Sequence, residues 1–251
     1  MQVKVGTCGF QRSRSSHYHH LDVVEVQQTF YDPPPPEKLS SWRREAPEGF
    51  EFTVKAWMLI THGYNARLWR RLRREVKGDL GNYGGFKPTR EVMEAWEETL
   101  RAARSLDASI IVFQTPGSFK PEKENMRNLE AFMESIDAKG YTLAWEPRGE
   151  WWDKPGLLRE LAEKLDIAIV GDPLMGKAPI CNRGLCYYRL HGIGGRETNY
   201  KYKYTDEDLS RLYREISKLG SQENYILFNN IHAFDDALRF KNLVESQKSI
   251  H

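Results

Sequence analysis

Eight short apolar runs, spaced through 251 residues with helix-like patterns between many of them, restrict this chain more than any other feature. The runs are Val3–Cys8, Asp22–Gln27, Phe50–Lys55, Ser109–Gln114, Thr142–Glu146, Ile167–Gly171, Tyr187–His191 and Tyr225–Asn229. Each is rich in β-branched or aromatic residues. Several are apolar throughout, as strands buried on both faces of a parallel sheet are. Between them, Val92, Ala95, Trp96, Thr99, Leu100, Ala103 and Leu106 trace one helix face, and Met126, Leu129, Phe132, Met133 and Ile136 trace another. Leu157, Leu158, Leu161, Ala162 and Leu165 follow Pro155, a residue suited to a helix start. Thr205 and Asp208, spaced like a capping box, precede Leu209, Leu212, Tyr213, Ile216 and Leu219. A last helix is expected from about Asp235.

Strands alternating with helices build right-handed βαβ units. Eight of them predict one α/β domain over residues 1–251, a TIM-type (β/α)8 barrel. Two connections look irregular. Residues 9–21 leave little room for a helix, and residues 172–185 read as a loop. The strand 3 to strand 4 connection is long. It holds a basic helix at about 66–77, four glycines within Gly78–Lys87, and then the Val92 helix. Such an excursion on the catalytic side of a barrel could act as a lid.

No apolar run approaches a bilayer span. The opening Met1-Gln-Val-Lys-Val enters a strand without the regions of a signal peptide, so a cytoplasmic protein is expected. The three cysteines, Cys8, Cys181 and Cys186, do not predict a disulfide framework. Cys181 and Cys186 lack a partner pair at zinc-finger spacing and read as reduced thiols. A net charge of +2 makes no overall case for nucleic acid.

The strand-end motifs follow one another in a distinctive order. They are Gly6-Thr-Cys-Gly-Phe10, Val24-Glu-Val-Gln-Gln-Thr-Phe-Tyr31, Phe52-Thr-Val-Lys-Ala56 with Ile60-Thr-His62, and Phe113-Gln-Thr-Pro-Gly-Ser-Phe119. Then come Ala144-Trp-Glu-Pro-Arg148 with Trp151-Trp152, Asp172, Tyr188-Arg-Leu-His-Gly192 and Phe228-Asn-Asn230. In this the chain resembles the YecE-like proteins, the family catalogued as domain of unknown function 72. The resemblance implies a TIM-barrel fold and supplies no reaction. The chain departs from the family pattern at Cys8, where Ser is usual, at Phe10, where Trp is usual, and at Gly149, where His often follows the Glu-x-Arg motif.

Barrels of this kind place their sites at the C-terminal strand face. Here that face is expected to present Glu25, Gln27, Lys55, Gln114, Glu146, Arg148, Asp172, Arg189, His191, Asn229 and Asn230. Side chains two apart on a strand point the same way, which pairs Glu146 with Arg148 and Arg189 with His191. Ionisable groups in apolar strands are costly to bury without partners. They form either a paired network at the barrel mouth or a ligand site. Glu146 and His191 are the candidate catalytic pair for acid–base work. Glu25, Lys55, Gln114, Arg148, Asp172, Arg189, Asn229 and Asn230 are candidate substrate contacts, with Trp151 a stacking platform. His62 and His232 read as solvated loop histidines.

Metal ligands are assigned to none of these residues. Glu146, Asp172 and His191 could form a mixed O/N site, but Arg148, Arg189 and Lys55 suit an anion better. A divalent Mg or Mn could still arrive with a phosphorylated substrate. The remaining feature is basic. Arg67, Arg70, Arg71, Arg73 and Arg74 crowd together beside Tyr64 and Trp69, and Arg12 and Arg14 lie near His17, His19 and His20. A phosphate backbone would be drawn there, with aromatics stacking on unpaired bases. The plainer alternative is a solvated helix face over Leu68, Trp69, Leu72 and Val76.

The leading expectation is a hydrolase-type enzyme acting on a phosphate-bearing substrate, with single-stranded DNA or RNA as the favoured anionic partner. One rival is a sugar isomerase or glycosidase using Glu25 and Glu146. Another is a non-catalytic nucleic-acid or ligand binder. No membrane partner is expected, and the sequence assigns no oligomeric state.

Overall fold

A computed structural model describes residues 1–195 and 197–248. The strands are β1 (Gln2–Cys8), β2 (Val23–Val26), β3 (Glu51–Lys55), β4 (Ile110–Gln114), β5 (Thr142–Glu146), β6 (Ala168–Ile169), β7 (Leu185–Leu190) and β8 (Glu223–Phe228). The helices are α1 (Arg14–His20), α2 (Gln28–Tyr31), α3 (Pro36–Glu45), α4 (Met58–Thr61), α5 (Ala66–Trp69), α6 (Arg90–Leu106), α7 (Lys123–Ser135), α8 (Pro155–Leu165), α9 (Asp206–Leu219) and α10 (Ala233–Lys248). One sheet takes all eight strands in the order β6-β5-β4-β3-β2-β1-β8-β7. The pairs β1–β2, β1–β8, β3–β4, β4–β5 and β7–β8 are parallel, as the apolar runs predict. Among the described residues, no helix is long and apolar enough to cross a membrane.

By contact density the chain divides into two compact units. The first comprises Met1–Glu25, Ala46–Glu51 and Ala168–His251. Its β1 backbone runs so close to β2 that a Cβ at Gly6 would lie 1.9 Å from the Val23 carbonyl oxygen, so only glycine fits. Thr205 and Asp208 form the expected capping box, each bonding the other's backbone N–H at the start of α9. The second unit comprises Val26–Glu45 and Phe52–Ile167. There the expected apolar face of α6 (Val92, Ala95, Trp96, Leu100, Ala103, Leu106) is buried, with Thr89 capping its start.

Four local expectations need correction. Residues 9–21 do hold a helix, α1, because the Ser13 side chain accepts from the Ser16 N–H and starts the turn. Strand β6 is shorter than Ile167–Gly171. Ile169 spends its backbone groups on an antiparallel bridge to Ile180, where the following loop folds back. The basic helix at about 66–77 shrinks to the four residues of α5. Past Trp69, the Arg73 N–H and the Arg74 guanidinium bond Asp32, and Arg74 also reaches the Pro33 carbonyl and Glu98. Those partners lie off the helical path, and five crowded guanidinium groups give a helix nothing to gain there.

The fourth correction concerns the thiols. Arg183 and Gly184, at φ +47° and +80°, make a two-residue turn with Asn182 and Leu185 bonded across it. The turn sets Cys181 opposite Cys186, with Cα atoms 4.4 Å apart, and the two form a disulfide. The third cysteine, Cys8, is buried and takes no part in a disulfide. A closed loop this short restricts the unfolded chain modestly. Cys181→Ser is therefore expected to cost about 2 kcal/mol in urea unfolding under oxidising conditions and nothing under reducing ones. Equal stability under both conditions would mean the bond does not form in solution.

Candidate functional site

In the second unit, the C-terminal ends of β3, β4 and β5 bring charged groups together. Lys55 ends β3 and Gln114 ends β4, and the Lys55 ammonium donates to Gln114 Oε1 at 2.6 Å. The same ammonium lies 3.8 Å from the centre of the Phe30 ring, a cation–π contact. Glu146 ends β5 directly opposite Gln114 in the register. Arg148, two residues on and still extended, turns back to pair with Glu146 at 2.5 Å. All of these side chains except Gln114 are buried.

His62 joins this group just after α4. Its ring packs edge-on against Phe30 at 5.1 Å, and its Nδ1 shares a 2.8 Å hydrogen bond with the Thr61 hydroxyl. Burial, then the positive charges of Lys55 and Arg148, hold its pKa down at about 3, so the imidazole is neutral at physiological pH. Beside it opens a cavity of about 460 Å³ whose lining includes Tyr31, His62, Tyr64, Arg67 and Arg71. The Arg71 guanidinium lies 4.4 Å from the centre of the Tyr31 ring. Cations, aromatic faces and a neutral imidazole therefore border one opening.

The first unit holds a different arrangement. Arg189 of β7 pairs with Glu25 of β2 at 3.0 Å, with their side chains 1% and 0% exposed. The Tyr187 hydroxyl donates to the other Glu25 oxygen at 3.0 Å. Asp172 caps the turn after β6. It accepts from the Leu174 N–H at 3.1 Å and from the His191 N–H at 3.4 Å. Burial pushes its carboxyl up to about 7, against the lowering effect of those backbone donors. His191 Nδ1 lies 2.9 Å from the Arg189 carbonyl oxygen. A carbonyl only accepts, so Nδ1 carries the proton of the neutral ring and Nε2 is its basic nitrogen. Asn229 is half-buried, whereas Asn230 is buried and donates to the Tyr202 carbonyl and to Asp236, both at 2.7 Å. Among the described residues, no three His, Cys, Asp or Glu side chains gather to hold a metal ion.

The family model described as "Protein of unknown function DUF72" matches residues 11–250. The chain belongs to the DUF72 family. The UPF0759 protein YunF of Bacillus subtilis (strain 168) is 24% identical over 260 residues, covering 94% of this chain and 86% of that one. A solved DUF72 protein of Enterococcus faecalis V583 superposes with a TM-score of 0.72 at 21% identity, over 97% of this chain and 98% of that one. One of Thermotoga maritima MSB8 gives 0.70 at 25% identity, over 98% and 100%. A D-tagatose 3-epimerase-like protein, at a TM-score of 0.59 and 14% identity over 100% and 98%, shares the fold alone. These likenesses fix the fold as the TIM-barrel α/β class expected from the strand and helix pattern.

Against the sequence expectations, several residues of this DUF72 protein stand elsewhere. Glu25 and Arg189 are paired with each other at essentially zero exposure. Trp151 is no stacking platform. It is fully buried between Phe119 and Trp145, and its indole N–H donates to the Phe119 carbonyl. Arg74 is committed to Asp32 and Glu98 rather than presented for nucleic acid, whereas Arg67 and Arg71 line the cavity and Arg70 is exposed. Asn230 is held by structural partners. His62, expected as a solvated loop histidine, is instead half-buried against Phe30 and Thr61. Its signal in the sequence was its place directly after the apolar run Trp57–Thr61, which docks it against the strand ends.

Proposed function

We propose that this DUF72 protein binds a phosphate-bearing ligand at the β3–β5 strand ends of its second unit and hydrolyses it there, with single-stranded nucleic acid as the leading ligand class. The observation that carries this is the neutral imidazole of His62, held so in part by Lys55 and Arg148 beside a cavity that adds Arg67 and Arg71. Fixed cations that suppress a histidine's protonation make a positive field, and an arriving phosphate relieves it. Tyr31 and Tyr64 offer faces on which an unpaired base stacks. Glu146, steadied by Arg148, would take the proton of an attacking water as the P–O ester bond breaks, and the leaving oxygen would gain its proton from solvent. A divalent ion, where one is needed, would come with the phosphate.

The rival sugar chemistry loses support because Glu25, half of its carboxylate pair, has both oxygens engaged in the interior. The fold itself does not choose between chemistries.

The test uses end-labelled single-stranded DNA and RNA with Mg²⁺, with Mn²⁺ or with chelator. Binding is expected to weaken with salt, the log–log slope falling by about 0.7 for each phosphate contact removed by Lys55→Ala or Arg71→Ala. Cleavage is expected to drop about 100-fold in Glu146→Gln with binding retained. Salt-sensitive binding without cleavage would make the protein a binder. Affinity indifferent to salt and to both cation variants would overturn the reading altogether.

A further inference from the structure

We infer that the Gly192–Gly195 loop, which follows His191 after β7, is a backbone seat for the phosphate group of a ligand. Every residue of this seat lies in the first unit, and its occupancy is independent of the Lys55–Arg148 cleft.

Backbone handedness alternates along the loop. Gly192 and Gly194 both take φ +85°, while Ile193 and Gly195 stay at negative φ. Alternation of this kind turns successive N–H groups toward one side and makes an anion-binding concavity. The N–H groups of Ile193, Gly194 and Gly195 donate no hydrogen bond among the described residues. These three residues are exposed or half-buried, so solvent ions reach them.

The loop is also pinned in place. The Asn199 N–H donates to the His191 carbonyl and the Asn199 amide to the Ile193 carbonyl, each at 2.8 Å. The Gly192 N–H donates to the Tyr204 hydroxyl at 2.7 Å. A Cβ at Gly192 would lie 2.1 Å from the Asn199 carbonyl oxygen, and one at Gly195 2.3 Å from that of Thr198. Glycine is what lets the chain pass so close, and the donors are therefore held ready rather than ordered on binding.

A second observation comes from the end of β8, the strand paired with β7. Asn230 is 4% exposed, and its Oδ1 has no donor among the described residues, because its amide nitrogen already serves Tyr202 and Asp236. That buried acceptor calls for a hydroxyl, an amine or a water from outside. Tyr200, its ring centre 6.0 Å from that of His191, and Ile231 are 47% and 64% exposed and joined by a backbone hydrogen bond, which puts apolar surface beside the residue that leads into the loop.

The full chain, labelled with ¹⁵N, is titrated with inorganic phosphate and followed by its amide resonances. The amides of Ile193, Gly194 and Gly195 are expected to shift downfield and saturate, with the same midpoint in Lys55→Ala. Ile193→Pro removes one donor and is expected to weaken binding about tenfold. Shifts at these amides that are absent, or that rise without saturating, would overturn the seat. So would saturation confined to residues around His62, a result that would leave the proposed cleft standing. Unchanged affinity in a folded Ile193→Pro would also overturn it; if that variant does not fold, the wild-type amides decide.

Discussion

Arg189→Met is expected to lower the unfolding free energy by about 3–5 kcal/mol. The guanidinium is 1% exposed and faces a Glu25 carboxylate at 0% exposure, 3.0 Å away. Removing it takes from a buried carboxylate the guanidinium 3.0 Å away, and the hydroxyl that Tyr187 donates to the other oxygen carries no charge. The cost is that of a carboxylate kept out of water after the guanidinium beside it is gone. Glu25→Gln on the same background should therefore recover most of the loss, because two neutral side chains of similar bulk fill the space without any charge to solvate. Urea unfolding of the wild type, both single variants and the double variant gives the coupling energy directly. Losses that simply add would show that the two groups are not a pair in solution. The result bears on function as well. Charges bound to each other this way hold β2 and β7 in the first unit, and a phosphate need not meet Arg189 for the residue to matter.

What was legible in the sequence follows from what repeats locally. The eight strands were readable because both faces are buried, so their apolar runs are continuous and bounded. Their ends moved by a residue or two where a tertiary partner intervened, as Ile180 does at β6. Glu146 and Arg148 were readable as neighbours because two-residue spacing on an extended chain fixes their direction. Glu25 and Arg189 stood out as charges in apolar runs, but nothing local to either names the other, 164 positions away in the chain by their numbering. Trp151 illustrates a different limit. An aromatic beside a strand end reads alike whether it faces a ligand or the core, and only the neighbours Phe119 and Trp145 decide. The disulfide was hidden for a similar reason. Five-residue spacing between cysteines says nothing until the Arg183-Gly184 turn folds one against the other.

Two ionisable groups should tilt the pH dependence of stability in opposite directions, and removing either should expose the other. Asp172 has its pKa raised from 3.8 to about 7 in the folded protein. Between those values the native state holds a proton that the unfolded state has lost. Its contribution is complete below pH 3.8 and disappears as pH rises through about 7. The full window corresponds to about 4 kcal/mol, at about 1.4 kcal/mol per unit. His62 has its pKa lowered from 6.5 to about 3. Between those values the unfolded state binds a proton that the native state refuses, so its contribution is complete above pH 6.5 and is lost as pH falls through about 3. Across the shared range the two slopes nearly cancel, and the wild type should look indifferent to pH as far as these groups are concerned. Asp172→Asn should then gain stability relative to wild type as pH rises from 4 to 7, and His62→Gln should gain as pH falls from 6.5 toward 4. Urea midpoints for the three proteins at several pH values measure both differences. A flat difference for Asp172→Asn would mean that its carboxylate is ionised in the fold, with the Leu174 and His191 N–H groups outweighing burial. A flat difference for His62→Gln would mean that neither burial nor the Lys55–Arg148 field holds its pKa down, which would weaken the case for an anion at that cleft. Adding inorganic phosphate supplies a further check on the same residue. A bound dianion favours the imidazolium, so the His62 pKa should rise from about 3 and the acid-side loss of stability should shrink.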